Sequence, residues 1–295
     1  MTTPIPAGGA DSLPPRIDVC EVGPRDGLQN HPVIYPVEAR VRLVDALVEA
    51  GARYVEAAAF VREDRVPAMA GAAEVFRGIE RRPGVRYAAL VPNLRGLERA
   101  LTAGVDAVVT WASATDSFAQ SNTGRTVESE LSGVLDVVRE AREAGTWIRG
   151  FVSVAFGCPF EGAVSPETVY RVASALLDSG VDRLALGDTI GVATPRDVDL
   201  VLDRLSAVID PSKIELHFHD TRKTALANVF RALQWGVTTF DSSVAGLGGC
   251  PFAPGASGNL GTEELLYLAR GLGIETGMDA AKVRVAGQDL VVPRV

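Results

Sequence analysis

The feature that most constrains this chain is an eightfold alternation of short apolar runs with longer periodic stretches. The runs lie at 17–22 (IDVCEV), 53–59 (RYVEAAA), 86–92 (RYAALVP), 106–113 (DAVVTWAS), 147–155 (WIRGFVSVA), 182–187 (DRLALG), 213–219 (KIELHFH) and 238–245 (TTFDSSVA). Each is followed by a segment of 3.6-residue periodicity, as over 37–50, 128–144, 166–179 and 224–235. Several of these segments close on glycine just before the next run, in EAGAR, EAGTW, DSGVD and QWGVT. Glycine takes the left-handed conformation that ends a helix cheaply. Ser165-Pro166 and Thr194-Pro195 put a capping hydroxyl ahead of Pro at the first helical position. Eight strand–helix units in 295 residues predict an α/β fold of the (β/α)8, or TIM-barrel, type. A doubly wound open sheet is the main competitor, but no Gly-rich dinucleotide fingerprint follows the first strand.

No linker divides residues 17–295, which are read as a single catalytic domain. Residues after about 272 form a short C-terminal extension beyond the eighth helix. The first 16 residues, MTTPIPAGGADSLPPR, are read as a flexible tail. They lack the basic start and apolar centre of a signal peptide and the Arg content of a transit peptide. No run of about 18 apolar residues exists, so no membrane span is expected and the cytoplasm is the predicted compartment. The formal charge is −8, and no Lys/Arg cluster is long enough for a nucleic-acid footprint. Local arginines could still attract an anionic substrate. Arg62, Arg65 and Arg95 are candidates for a phosphate, with surface arginine the stronger reading. Cys20, Cys158 and Cys250 are odd in number and widely spaced, which argues against a disulfide framework or a zinc cluster. A single reactive thiol remains open.

In such barrels the functional groups sit at the C-terminal ends of the strands. Here those ends carry Glu21, Arg25 and Asp26 after strand 1, Glu56 on strand 2 and Ser153 on strand 5. Asp188 follows on strand 6, His217 and His219 on strand 7, and a glycine-rich segment with Cys250 and Asn259 after strand 8. Two of the chain's three histidines share one strand end. Residues two apart in a strand face the same way, so both imidazoles can meet one divalent metal. Asp26 and Asn259 could add oxygen ligands. A mixed N/O set without a thiolate pair favours Mg²⁺ or Mn²⁺ over structural zinc. Arg25 reads as a fixed cation for a developing enolate oxygen. Glu56 lies in an apolar strand, where a buried charge needs a partner, and Arg25 is the candidate. Asp188 acts on substrate or orients another group. Glu21 reads as an orienting residue. Cys250 sits among glycines and could be delivered by loop closure for proton transfer; Cys20 and Cys158 read as structural.

The runs EVGPRDGLQN, LVPNLRG, GCPFEG, LGDTIGV and SVAGLGGCPF…GASGN resemble the 3-hydroxy-3-methylglutaryl-CoA lyase family, over about residues 17–272. That resemblance implies a metal-dependent TIM-barrel lyase with an acyl-CoA substrate, a homodimer and a place in leucine degradation. It implies metal ligands at Asp26, His217, His219 and Asn259, an enolate-stabilising Arg25 and an active-site Cys250. Glu56, Asp188 and Glu263 are the implied supporting acids, with Glu21 beside Glu263 around the site. Ser153 and Asn93 are taken as substrate-binding positions. The implied reaction is retro-Claisen cleavage of a 3-hydroxyacyl-CoA to acetyl-CoA and a keto acid such as acetoacetate, with His217 or Asp26 as the base.

Two departures bear on the acyl group. The family's Glu-Thr-Thr-Ser-Phe pattern is Glu56-Ala57-Ala58-Ala59-Phe60 here, and its Tyr-Gly-Gln after His219-Asp220-Thr221 is Arg222-Lys223-Thr224. Both segments are expected to border the mouth. The rival readings are a condensing acyl-CoA synthase of the same superfamily, against which the cysteine segment argues, and a non-catalytic acyl-CoA-binding barrel.

Overall fold

The eight apolar runs pair in chain order and close on themselves in a computed structural model that describes residues 13–249 and 258–288. The strands are β1 (Asp18–Glu21), β2 (Tyr54–Ala59), β3 (Arg86–Leu90), β4 (Ala107–Ser113), β5 (Trp147–Ser153), β6 (Arg183–Asp188), β7 (Ile214–Phe218) and β8 (Thr239–Ser242). All pairings are parallel, and β1 closes the barrel on β8 from Asp18↔Thr239 to Glu21↔Ser242. The open-sheet competitor is thereby excluded. One irregularity matters below: the β2–β3 register shifts between Glu56 and Ala58.

The helices that cover the barrel follow from their local chemistry. In α1 (Val37–Glu49), Leu43, Val44, Leu47 and Val48 face inward. In α6 (Pro166–Ser179) the buried stripe is Val169, Val172, Ala173 and Leu176. Ser165 caps α6 by accepting from the Thr168 N–H at 3.1 Å, and the helix stops at Gly180, whose φ is 90°. At the start of α7 (Pro195–Leu205) the Asp197 carboxylate accepts from the Thr194 N–H and hydroxyl at 2.9 and 2.7 Å. Truncating a fully buried stripe residue such as Leu176 to Ala would cost about 2–5 kcal/mol.

The barrel interior is not wholly apolar. Arg149, on β5 and fully buried, pairs through Nε with Glu215 of β7 and through Nη2 with Asp241 of β8, both at 2.6 Å. Of the expected N-terminal tail, residues 13–16 are tied to the body. The Pro15 carbonyl accepts from the Glu275 N–H at 2.9 Å, and the Arg16 backbone makes an isolated parallel β-bridge with that of Glu275. The segment past residue 272 forms α10 (Ala280–Gln288), which buries Val283. A Cβ at Gly287 would come within 2.9 Å of the Val244 side chain, so α10 packs directly on the turn after β8.

Candidate active site

The stretch after β1 makes a single π-helical turn, Gly23–Gly27, in which the Val22 carbonyl accepts from the N–H groups of Arg25, Asp26 and Gly27. Its glycines are required by close approach. A Cβ at Gly23 would sit 2.7 Å from Glu21 Oε1, and one at Gly27 would sit 2.8 Å from Ser243 Oγ. Pro24 sets φ at the second position of the turn. Glu21, fully buried, accepts through Oε1 from the Gly23 and Val244 N–H groups at 2.8 and 2.9 Å. Its Oε2 accepts from the Thr262 hydroxyl at 2.7 Å. It thus ties the β1 turn to the β8 turn and to α9 (Thr262–Gly271). Burial raises its carboxyl to about 7 against those three donors.

Arg25 lies between two carboxylates. Its Nη2 donates to Glu56 Oε2 at 2.9 Å and its Nη1 to Asp26 Oδ1 at 2.5 Å. Burial works against its charge, but Glu56 and then Asp26 outweigh that and push the guanidinium pKa above its ordinary value. Asp26 Oδ2 accepts from Asn259 Nδ2 at 2.9 Å. Burial disfavours the Asp26 carboxylate, yet Arg25 and both imidazoles hold it well below the usual range.

His217 and His219 project from β7 and its end with ring centroids 5.0 Å apart. His217 Nδ1 lies 2.9 Å from Asp241 Oδ2, and its ring meets the Phe151 edge at 5.6 Å. Burial, then His217, pushes the His219 pKa down to about 3, so its imidazole is neutral. Asp26, His217 and His219 each offer a ligand atom within 4.8 Å of the others, the only such group among the described residues. His219 Nδ1 and Asn259 Oδ1 are buried polar atoms without a hydrogen-bond partner among the described residues. Unsatisfied buried acceptors are costly, and a cation between these side chains would satisfy both. The donor set therefore fits a hard-to-borderline divalent ion.

The cavity above these groups is about 200 Å³, and its polar lining is Arg25, Asp26, Gln29, Asn30, Asn122, Ser153, Thr189, His217 and His219, with Gly249. Its apolar lining is Leu90, Val109, Trp111, Phe118 and Phe151. A larger outer groove of about 930 Å³ between α1 and α10 gathers only ordinary surface residues such as Arg42, Glu49 and Lys282. Among the described residues, the non-glycine positions with positive φ are Val154, Lys223 and Ala245, which follow β5, β7 and β8. Each costs of order 1–3 kcal/mol, and all three are at the mouth, where strain of this kind concentrates in active sites.

The other expected residues divide clearly. Asp188 is fully buried and spends both oxygens on the Val192 and Ala193 N–H groups at 2.9 and 3.1 Å, shaping the loop after β6. Burial raises it to about 6 against those donors. Glu263 accepts from the Ala245 N–H at 2.9 Å and so braces the strained turn after β8. Ser153 lines the cavity. Asn93 is engaged elsewhere: it caps α3 (Leu94–Thr102), accepting from the Gly96 N–H at 3.0 Å, and does not line the cavity. Cys250 lies outside the described residues; Gly249, which precedes it, lines the cavity. Cys20 and Cys158 are buried free thiols. Arg62, Arg65 and Arg95 are exposed, and Arg62 pairs with Asp64.

The first departure from the family pattern sits differently from expectation. Ala57, Ala58 and Ala59 are buried in the barrel wall, none is among the residues that line the cavity, and the β2–β3 register shifts between Glu56 and Ala58. Arg222 and Lys223 are exposed on the rim. Sequence reasoning missed Asp241, Arg149 and Glu215. The signal that singled out Glu56, a charge inside an apolar strand, is present in WIRGF, in IELHF and in TTFDSS.

Comparison with known proteins gives a consistent result. A family model described as HMGL-like matches residues 16–290. The mouse protein named 3-hydroxy-3-methylglutaryl-CoA lyase, cytoplasmic, is 43% identical over 276 residues, covering 94% of this chain and 80% of that one. A Pseudomonas aeruginosa protein named 3-hydroxy-3-isohexenylglutaryl-CoA/hydroxy-methylglutaryl-CoA lyase is 45% identical, covering 94% of this chain and 92% of its own. The crystal structure of hydroxymethylglutaryl-CoA lyase from Pseudomonas aeruginosa superposes with a TM-score of 0.93 at 45% identity, over 95% of this chain and 93% of that one.

Proposed function

The chain belongs to the HMGL-like family and is a carbon–carbon lyase. On that premise we propose that it cleaves 3-hydroxy-3-methylglutaryl-CoA, or a closely related 3-hydroxyacyl-CoA, to acetyl-CoA and a keto acid such as acetoacetate. The observation that carries this reading is the meeting of Asp26, His217 and His219 within 4.8 Å, directly beside Arg25.

Asp26, His217, His219 and Asn259 would hold a divalent ion, Mg²⁺ or Mn²⁺ by their N/O character, which when bound supplies Lewis-acid polarisation of the substrate 3-hydroxyl. The hydroxyl proton leaves to a basic group of the cavity, proposed as the Asp26 carboxylate, because His217 has Nδ1 on Asp241 and would give Nε2 to the ion. The C2–C3 bond then breaks; C3 becomes the ketone, and the electron pair passes into the thioester as an enolate. Arg25, fixed by Glu56 and Asp26, is preorganised to face that oxygen, a contribution worth about 3–4 kcal/mol in comparable sites. Cys250 is the proposed proton donor to C2. Glu21, Asp188 and Glu263 keep the loops of the mouth in place. The apolar wall of Leu90, Val109, Trp111 and Phe151 excludes water and receives the C3 substituent.

No helix among the described residues is long and apolar enough to cross a membrane. We carry forward the cytoplasm as compartment and a homodimer as assembly. The test is acetoacetate release from 3-hydroxy-3-methylglutaryl-CoA by the purified protein with Mg²⁺, with and without chelator. Chelator-sensitive release supports the reading. A condensing synthase would instead consume acetyl-CoA and keto acid, and a binding protein would turn over neither. Cys250→Ala is expected to fold normally and turn over slowly; a wild-type rate would remove the thiol from proton transfer.

A further inference from the structure

Beneath the cavity, three side chains from three strands stand in series. Arg149 Nη2 donates to Asp241 Oδ1 at 2.6 Å, and Asp241 Oδ2 lies 2.9 Å from His217 Nδ1. None is more than 5% exposed. Glu215 holds the guanidinium from another side at 2.6 Å, and the Phe151 ring meets the imidazole edge-on, so neither group is free to swing. Arginine has donors only, so the carboxylate oxygen facing it must accept. The second oxygen of an ionised Asp241 must accept too, and a neutral His217 can satisfy it only with the proton on Nδ1. That leaves the Nε2 lone pair open.

We propose that Asp241, oriented by Arg149, is a positioning residue that locks His217 in the Nδ1–H tautomer and so presents Nε2 to a divalent cation shared with Asp26 and His219. The inference rests on the metal reading above. His219 offers a contrast: its Nδ1 is buried without a partner, so no hydrogen bond among the described residues sets its tautomer. One imidazole is preset and the other adapts.

Asp241→Asn tests this because Arg149 dictates which way the new amide turns. The amide oxygen must face the guanidinium, which aims the amide N–H at His217 Nδ1. That nitrogen must then accept, the proton moves to Nε2, and the ligand lone pair is lost. The measurements are ¹⁵N imidazole NMR of the metal-free protein at pH 8, tractable with three histidines, and Mn²⁺ titration followed by EPR. The wild type should show His217 with its proton on Nδ1. Asp241→Asn should show it on Nε2 and bind Mn²⁺ about 10- to 100-fold more weakly with unchanged circular dichroism. Adding Arg149→Met and Glu215→Gln to Asp241→Asn lets the amide turn over, and should recover most of the lost affinity; a merely structural role would predict further loss. A wild-type His217 protonated on Nε2 overturns the proposal without recourse to any variant. Equal Mn²⁺ affinity in Asp241→Asn overturns it alone, whereas absence of Mn²⁺ binding by the wild type overturns the metal reading and this proposal together.

Discussion

The two halves of the barrel mouth are held by different forces. Around β7, β8, β1 and β2 the groups are ionic, joined by contacts of 2.5–2.9 Å among Arg25, Asp26, Glu56, Asn259, His217 and Asp241. Across β3, β4 and β5 the lining is mainly apolar, with Leu90, Val109, Trp111 and Phe151 beside Ser153. A buried ionic network is unforgiving, because removing one member strands another charge in low dielectric. An apolar wall tolerates exchange of similar volumes at about 1.5 kcal/mol or less. On the proposed function, the chemistry belongs to the first half and the choice of acyl group to the second.

The strongest way to break that division is His219→Ala. Loss of one ligand should abolish Mn²⁺ binding and lyase turnover together, a fall of roughly a thousandfold or more in rate. Full metal occupancy in the variant, read by EPR, would remove His219 from the ligand set. Next in size is Arg25→Met. Turnover should fall by about 10²–10³, and urea unfolding should show a loss of about 3–5 kcal/mol because Glu56 is left buried and unpaired. Adding Glu56→Gln should restore most of the stability and none of the rate. If the double variant recovers activity, Arg25 is only structural.

The ionic half also predicts a pH dependence. Glu21, raised to about 7, and Asp188, raised to about 6, both bind protons more tightly folded than unfolded. Their contribution is fully present below about pH 4 and is lost as pH rises through 6 and 7. Asp26 and Asp241 are held low and run the other way, losing their contribution only as pH falls below the ordinary carboxylate range. Glu21→Gln, which keeps an acceptor for the backbone N–H groups, should therefore flatten the fall in stability between pH 5 and 8. An unchanged slope would mean that Glu21 stays ionised throughout. The smallest effect is expected on the apolar side. Trp111→Leu should leave Mn²⁺ affinity intact and shift relative kcat/KM between acyl-CoAs with short and longer C3 substituents by about 10-fold, or 1–2 kcal/mol. A large loss of metal binding in that variant would show that the halves are not independent.

Much of this protein was legible from its residues because much of it is local. Eight apolar runs, each followed by a periodic segment, a capped start and a glycine stop, require only short-range regularities, and seven of the eight strands fall inside the expected runs. The spacing of His217 and His219 placed both rings on one face, because a strand repeats every two residues. Glu56 announced itself as a charge in an apolar strand, with Arg25 as its partner. Tertiary structure alone decided the rest. Arg149 and Asp241 are 92 residues apart, and Asp241 and His217 are 24 apart. They meet because barrel closure turns β5, β7 and β8 toward a common interior, which no periodicity encodes. The same is true of Ala57, Ala58 and Ala59, which lie buried in the wall and off the cavity beside an irregular β2–β3 register, and side-chain facing in a strand is decided by register.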